Sequence, residues 1–316
     1  MSDATRVRVA AVQIAAKAGD LAANLAHAEA LALEALERGA RVVALPEFFT
    51  TPCFVHPRVR DAIVTSGENP ARDMLSRLAR RYRAYVGGSM LTRRGADVYN
   101  TYCLAGPDGA VQTHDKDLPT MWENAFYVGG SDDGVVETDY GTAGLAVCWE
   151  LIRWQTVRRF AGRVRYAITG NQWWSLADNW PGARSMFAAL GQYNRYLSEN
   201  APVELARILA VPVIHASHSG RFDGRFLLAP GANAAVRYAS EFVGRTQIVD
   251  AQGHAVAARD TREGPGVVVG DLVIADVARA APPTRRYWIP HLPLFHRVYW
   301  HHQNACGRSY YHRTPR

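Results

Sequence analysis

The first 47 residues constrain the fold most. "RVRVAAVQ" (6–13) alternates and is rich in β-branched residues, so it reads as a strand. From Asp20 to Arg38 the period changes. Leu21, Leu25, Ala28, Ala32 and Leu36 share one helical face, with Asp20 as N-cap and Gly39 just past the end. "RVVALP" (41–46) is a short apolar strand that ends at Glu47. Strand, helix and strand in that order call for a layered α/β fold, because each element has one apolar face to bury.

The same pattern continues. A second helix is expected over 69–82, opened by "NPARD" with its proline in the first turn. Strands are expected at 84–91, 97–106 and 110–116, the last two joined by the turn "PDG". "TAGLAVC" (142–148) is a strand running into Cys148, followed by a helix near 155–162 and a strand at 165–170. A long helical stretch over 183–209 should break near Pro202. Strands at 211–217 and 266–274 frame a hairpin over 245–256 with "DAQG" at its tip. We divide the chain into a domain over 6–276 and an extension over 277–316 rich in aromatics, His and Arg, expected to lie over the domain or a partner subunit.

Composition removes several function classes. The chain has 316 residues and 48% hydrophobic residues, ample for a core. No run approaches the roughly 18 apolar residues of a membrane span. The N-terminus lacks the basic and long apolar regions of a secretory signal, so a cytoplasmic protein is expected. Cys53, Cys103, Cys148 and Cys306 lie too far apart to suggest a disulfide framework. The net charge of +7 comes from scattered arginines without a basic stripe, which argues against a nucleic-acid partner. His296, His301, His302 and Cys306 match no metal-ligand spacing, so no metal is expected.

Of 36 basic residues only Lys17 and Lys116 are lysines. A lysine kept in an arginine-rich chain suggests a tight site that needs a compact charge. Glu47, Lys116 and Cys148 each end an expected strand, and α/β folds gather their sites at strand ends. Together they fit one chemistry. A thiol needs a base to lose its proton, and Glu47 can be that base. Negative charge built on a carbonyl or nitrile could be met by Lys116 and the backbone N–H of Trp149. Singly, each residue has an ordinary reading: a solvated loop acid, a surface lysine, a core cysteine.

Here the sequence resembles the nitrilase superfamily of carbon–nitrogen hydrolases. "LPEFF" (45–49), "HDKDLPT" (114–120) and "GLAVCWE" (144–150) are similar to its glutamate, lysine and cysteine motifs, in order. "ENAFYVGG" (123–130) resembles the segment of its second glutamate, which falls on Glu123. The resemblance covers about residues 6–276. It implies an α/β fold of the four-layer α-β-β-α sandwich type and a Cys-Glu-Lys triad. It also implies hydrolysis of small amides, N-carbamoyl compounds or nitriles with no metal or organic cofactor, and a homo-oligomer. By the same carry-over, Cys148 is the nucleophile, Glu47 the base and Lys116 the oxyanion stabiliser, while Glu123 positions substrate or lysine.

Two departures leave the substrate open. Trp154-Gln155 stands where the family shows Pro-Glu, and "TGNQWW" stands where it shows a small residue before one Trp. Trp149, Asn171 and Trp173 are therefore the candidates for substrate contact. Phe48 and Trp174 could join them, though aromatic residues at strand ends are more often packing. Glu150 could hold an arginine or a cationic substrate group, and the arginine is favoured. An amidase or N-carbamoyl amidohydrolase leads. A nitrilase is the alternative, followed by an acyltransferase and an inactive binding module.

Overall fold

A computed structural model describes residues 4–182, 185, 187–232, 234–276 and 280–314. Fifteen strands are described, and thirteen of them are joined by hydrogen bonds into one network that folds into two sheets, nine along a single path and four branching from it. The first sheet holds β1 (Thr5–Ile14), β2 (Val42–Ala44), β3 (Val64–Thr65), β4 (Tyr85–Arg94), β5 (Asp97–Ala105) and β6 (Val111–Asp115). The second holds β7 (Val135–Val136), β8 (Ala143–Val147), β9 (Tyr166–Gly170) and β10 (Val213–His218). β11 (Arg221–Leu227) and β12 (Ala235–Glu241) form a separate hairpin, while β13 (Arg245–Val249) and β14 (Ala255–Asp260) extend the second sheet beside β10. β15 (Gly266–Ile274) returns antiparallel to β1 along nearly its full length. The sheets meet where Gln13 and Ile14 of β1 pair with Ser217 and His218 of β10.

Strand alternation builds the layers. Val9 and Ala11 of β1 face inward, packed with Val42 and Ala44 against Leu145, Val147, Ile168 and Ile214 of the second sheet. Ala10 and Val12 face outward onto α1 (Leu21–Glu37) and α2 (Pro70–Tyr82), through Ala28, Ala32, Leu75 and Leu78. α3 (Trp154–Phe160) and α4 (Ala188–Leu209) cover the other outer face. The result is the expected four-layer α-β-β-α sandwich.

Local signals were met closely at helix ends. The Asp20 side chain accepts from Ala23 N and that of Asn69 from Arg72 N, which satisfies otherwise orphaned donors. Gly39 takes φ +87°, a left-handed conformation that favours glycine.

One expectation needs correction, and one element was not expected at all. α4 does not break at Pro202 but runs through it. An interior proline costs about 3 kcal/mol. Burial of Leu197, Leu205 and Leu209 on the same helix, at roughly 1.5–3 kcal/mol per leucine, exceeds that. The start of that stretch, at residues 183, 184 and 186, lies outside the described residues. The β11–β12 hairpin was not anticipated either. It buries Phe222, Leu227 and Tyr238 against Trp122 and the C-terminal segment rather than joining either sheet. No described helix is long and apolar enough to cross a membrane.

Residues 280–314 pack on the elements before them. Trp154 N donates to Tyr287 O and Ile289 N to Ile152 O, so this segment runs beside the one that follows Cys148. Helix α5 (Leu294–Arg313) then packs on the 3₁₀ turn Met121–Ala125.

β9 ends at Gly170, where an added Cβ would lie 2.7 Å from Glu47 N and 2.9 Å from Pro46 C. Both are backbone atoms that cannot swing away. Gly170→Ala is expected to lower stability in urea denaturation by about 1–3 kcal/mol. An unchanged midpoint would contradict this close approach.

Candidate active site

Glu47, Lys116 and Cys148 each lie just beyond a strand end, after β2, β6 and β8. The two sheets face each other, so these ends converge. All three side chains are buried. Lys17, the other lysine, is exposed.

Lys116 sits at the centre. Its Nζ donates to Glu47 Oε1 at 2.9 Å and to Glu123 Oε2 at 2.7 Å. Glu47 Oε1 also accepts from Asn100 Nδ2 at 2.9 Å, and Oε2 from Gln172 N at 2.9 Å. Glu123 Oε2 accepts from Thr120 N and from the Tyr127 hydroxyl. A carboxylate oxygen of each glutamate and Cys148 Sγ lie within 4.8 Å of one another. Sγ also approaches Gln172 O at 3.9 Å. The two glutamates and the cysteine are the one group of three potential metal ligands among the described residues. Positive charge is already supplied there by the Lys116 ammonium. The tail's His296, His301, His302 and Cys306 form no such group.

Backbone strain marks the same place. Five described non-glycine residues have positive φ. Arg83 and Ala210 merely end helices. The other three are Phe48, Met121 and Cys148, next to or within the cluster, at φ +55°, +56° and +53°. Such conformations persist only where the surroundings impose them. At Cys148 the left-handed turn opens the 3₁₀ segment Cys148–Ile152.

Burial and charge set the proton positions. Desolvation raises the Glu47 carboxyl to about 7, Glu123 adds to this, and Lys116 opposes it. Burial, then Glu47, pushes the Cys148 thiol well above its ordinary value, so it rests protonated. Burial alone would lower the Lys116 ammonium, but Glu123 and Glu47 outweigh it and the net direction is up. The arrangement thus holds a thiol, a carboxylate poised near neutrality and a fixed cation in one dry space.

Glu150 takes the arginine. It accepts from Arg159 at 3.1 Å and from Val147 N at 2.8 Å. It also faces His114 Nε2 at 3.1 Å, a partner the sequence did not suggest. Burial would lower the His114 pKa, but Glu150 and Asp132 outweigh it and hold it at about 10. The imidazolium therefore braces the strand carrying Lys116 against the turn carrying Cys148.

Trp149 and Trp173 are buried beside the cluster with ring centroids 5.6 Å apart. Trp174 stacks on Trp122 at 4.3 Å, and Phe48 packs near Tyr127 at 6.0 Å. The structure does not bring Asn171 to the cluster. Its Oδ1 accepts from Ser217 Oγ at 2.6 Å and its Nδ2 donates to Ser198 Oγ at 3.3 Å.

Sequence reasoning also missed Asn100, His218 and Asn304. His218 Nε2 must carry the proton it gives to Glu47 O at 2.6 Å, because a carbonyl only accepts. Asn304 on α5 accepts from Met121 N at 2.7 Å and Asn124 Nδ2 at 3.0 Å, which pins the turn carrying Glu123. A polar residue within an aromatic helix gave no signal of that role. Asn100, in the strand "DVYNTYCLA", was a polar residue in an otherwise buried run and could have been flagged.

The chain belongs to the carbon-nitrogen hydrolase family, whose family model matches residues 8–282. It is 31% identical over 142 residues to a chloroplastic omega-amidase of Arabidopsis thaliana, covering 40% of this chain and 38% of that protein. It is 31% identical over 173 residues to a bifunctional nitrilase/nitrile hydratase of Lupinus angustifolius, covering 47% and 48%. The chain spans about half the length, or less, of the curated relatives it matches. Among solved structures it resembles an amidase from Nesterenkonia sp. carrying acrylamide on its active-site cysteine, with TM-score 0.61, 21% identity and coverage of 84% and 92%. A carbon-nitrogen hydrolase from Helicobacter pylori aligns with TM-score 0.66 at 18% identity, covering 84% and 89%. At these identities the structural likeness speaks for the fold.

The raised His114 pKa has a stability consequence. A group raised from about 6.5 to about 10 on folding stabilises fully below 6.5, and the contribution fades as pH rises through 10. Its ceiling is on the order of 5 kcal/mol. Urea denaturation should show stability falling between pH 6.5 and 10, with a flatter profile and lower neutral stability in His114→Gln. Equal slopes in both proteins would contradict the imidazolium.

Proposed function

We propose that the chain hydrolyses the C–N bond of a small amide or N-carbamoyl compound through a thioester on Cys148, releasing ammonia. The observation carrying this reading is the buried Glu47–Lys116–Glu123 chain of hydrogen bonds with the Cys148 thiol beside it.

Cys148 Sγ attacks the carbonyl carbon while Glu47 takes the thiol proton. The carbonyl electron pair moves onto oxygen, where Lys116 Nζ and the Trp149 N–H stabilise it. The oxyanion collapses, the C–N bond breaks, and Glu47 returns the proton to the leaving nitrogen. Glu47 then takes a proton from water, whose oxygen attacks the thioester carbon. The acid leaves and the thiol re-forms. A base near 7 serves both directions of this transfer. Glu123 keeps Lys116 charged and in place. The Trp149 and Trp173 rings wall the substrate space and take no part in a chemical step, and Asn171 makes no substrate contact.

A nitrilase reading uses the same groups on C≡N and is favoured by the lupin relative. A homo-oligomer also belongs to the proposal, supported by Leu294 and Val298 on α5, which are 73% and 58% exposed.

Ammonia release should be measured on primary amides, N-carbamoyl compounds and their matched nitriles, with wild type and Cys148→Ala. Release from amides or carbamoyl compounds should fall at least about a thousandfold in the variant, since loss of a nucleophile removes the covalent route. Release from nitriles alone would select the nitrilase reading. Release that survives Cys148→Ala would overturn both.

A further inference from the structure

Gln172 stands in "TGNQWW", one of the two stretches that depart from the family pattern. Gln172 and Cys53 are both fully buried. The Gln172 side chain pairs in both directions with the Cys53 main chain. Its Oε1 accepts from Cys53 N, and its Nε2 donates to Cys53 O at 2.9 Å. The Gln172 main chain belongs to the catalytic cluster. Its N–H donates to Glu47 Oε2 at 2.9 Å, and its carbonyl oxygen lies 3.9 Å from Cys148 Sγ. One residue therefore touches the base, the thiol and the loop that follows Glu47.

β9 ends at Gly170, so the chain at Gln172 has left the strand. Its two main-chain groups are spent on side chains of the cluster rather than on a strand ladder. Something else must fix the planes of its peptide groups, and the side-chain amide is built for that. Both of its ends are bonded to one rigid stretch of backbone. The bond it supports matters to the chemistry. A peptide N–H on a carboxylate favours the charged form, and the Gln172 N–H lowers the Glu47 pKa against the burial that raises it. An apolar side chain of equal length would fill the same space and remove both bonds to Cys53.

We infer that Gln172 is a positioning residue: its side-chain amide, locked onto the Cys53 main chain, holds its own N–H on Glu47 and its carbonyl beside Cys148, and so fixes the base relative to the thiol. The inference rests on the proposed roles of Glu47 as base and Cys148 as nucleophile.

The test compares wild type with Gln172→Met, on the substrate that gives the fastest Cys148-dependent ammonia release. Met keeps the length of the side chain and removes both amide groups. kcat should fall roughly ten- to a hundredfold while KM changes less than about twofold, because misplacing the base acts on the chemical step. The acid limb of kcat/KM should move to higher pH by roughly half to one unit, because Glu47 loses a donor to its charged form. Gln172→Asn, one methylene too short to reach Cys53, should show both changes. A folded variant with wild-type kcat and an unmoved acid limb overturns the inference, and so does a change confined to KM. If neither variant folds, hydrogen exchange in the wild type decides. The Cys53 and Gln172 amides should exchange slowly and together, and a Cys53 amide that exchanges as fast as an exposed loop overturns the inference. Wild-type turnover that survives Cys148→Ala would instead overturn the hydrolase reading, whereas Cys148-dependent turnover with an unmoved acid limb in Gln172→Met overturns this inference alone.

Discussion

A lysine ammonium held between two buried carboxylates is the interaction on which the site depends. Lys116 bridges Glu47 and Glu123 with no solvent exposure at any of the three. Removing one member of a buried ion pair typically costs 3–5 kcal/mol, because the partner is left as an unpaired charge. Two carboxylates and one ammonium leave the cluster with one excess negative charge. Ionising Cys148 as well would make it two in a dry space. In the reaction we propose, a proton moves within the site rather than leaving it: the thiol passes its proton to Glu47 with no change in total charge. Burial first, and then the neighbouring carboxylate, raises both the thiol and Glu47, while Glu123 and Glu47 keep the Lys116 ammonium charged.

The scaffold serves that cluster. Facing sheets bring the ends of β2, β6 and β8 together, and left-handed turns at Phe48, Met121 and Cys148 re-aim the chain there. A second charge group, buried at His114 and Glu150 and flanked by Arg159 and the exposed Asp132, ties the lysine strand to the cysteine turn. The C-terminal helix closes the arrangement from outside through Asn304, and Trp288 packs edge-on to Trp149 at 5.4 Å.

Much of this was legible in the sequence, and the gaps have physical causes. Strand period, caps at Asp20 and Asn69 and the left-handed Gly39 are local, so the sequence carries them directly. Glu47, Lys116 and Cys148 were legible because each ends a strand. Glu123 became visible only through resemblance to the family. Pro202 misled because tertiary burial of α4 outweighs a local rule. The β11–β12 hairpin was there to be read, with Arg221, Asp223 and Arg225 alternating with Phe222, Gly224 and Phe226. Asn171 is held by Ser217 and Ser198, from segments remote in sequence. His114 and Asn304 act on segments remote in sequence or from another element, and no spacing announces that.

The most direct test of the central claim is to locate the acyl group. The protein would be mixed with a p-nitrophenyl ester of a short acid, whose good leaving group speeds acylation. The mixture would be quenched in acid and mapped by peptide mass spectrometry. The account predicts one acyl group, on the peptide containing Cys148, with Cys53, Cys103 and Cys306 unmodified. Acylation of another cysteine, or release of acid from a protein that never carries an acyl group, would contradict it.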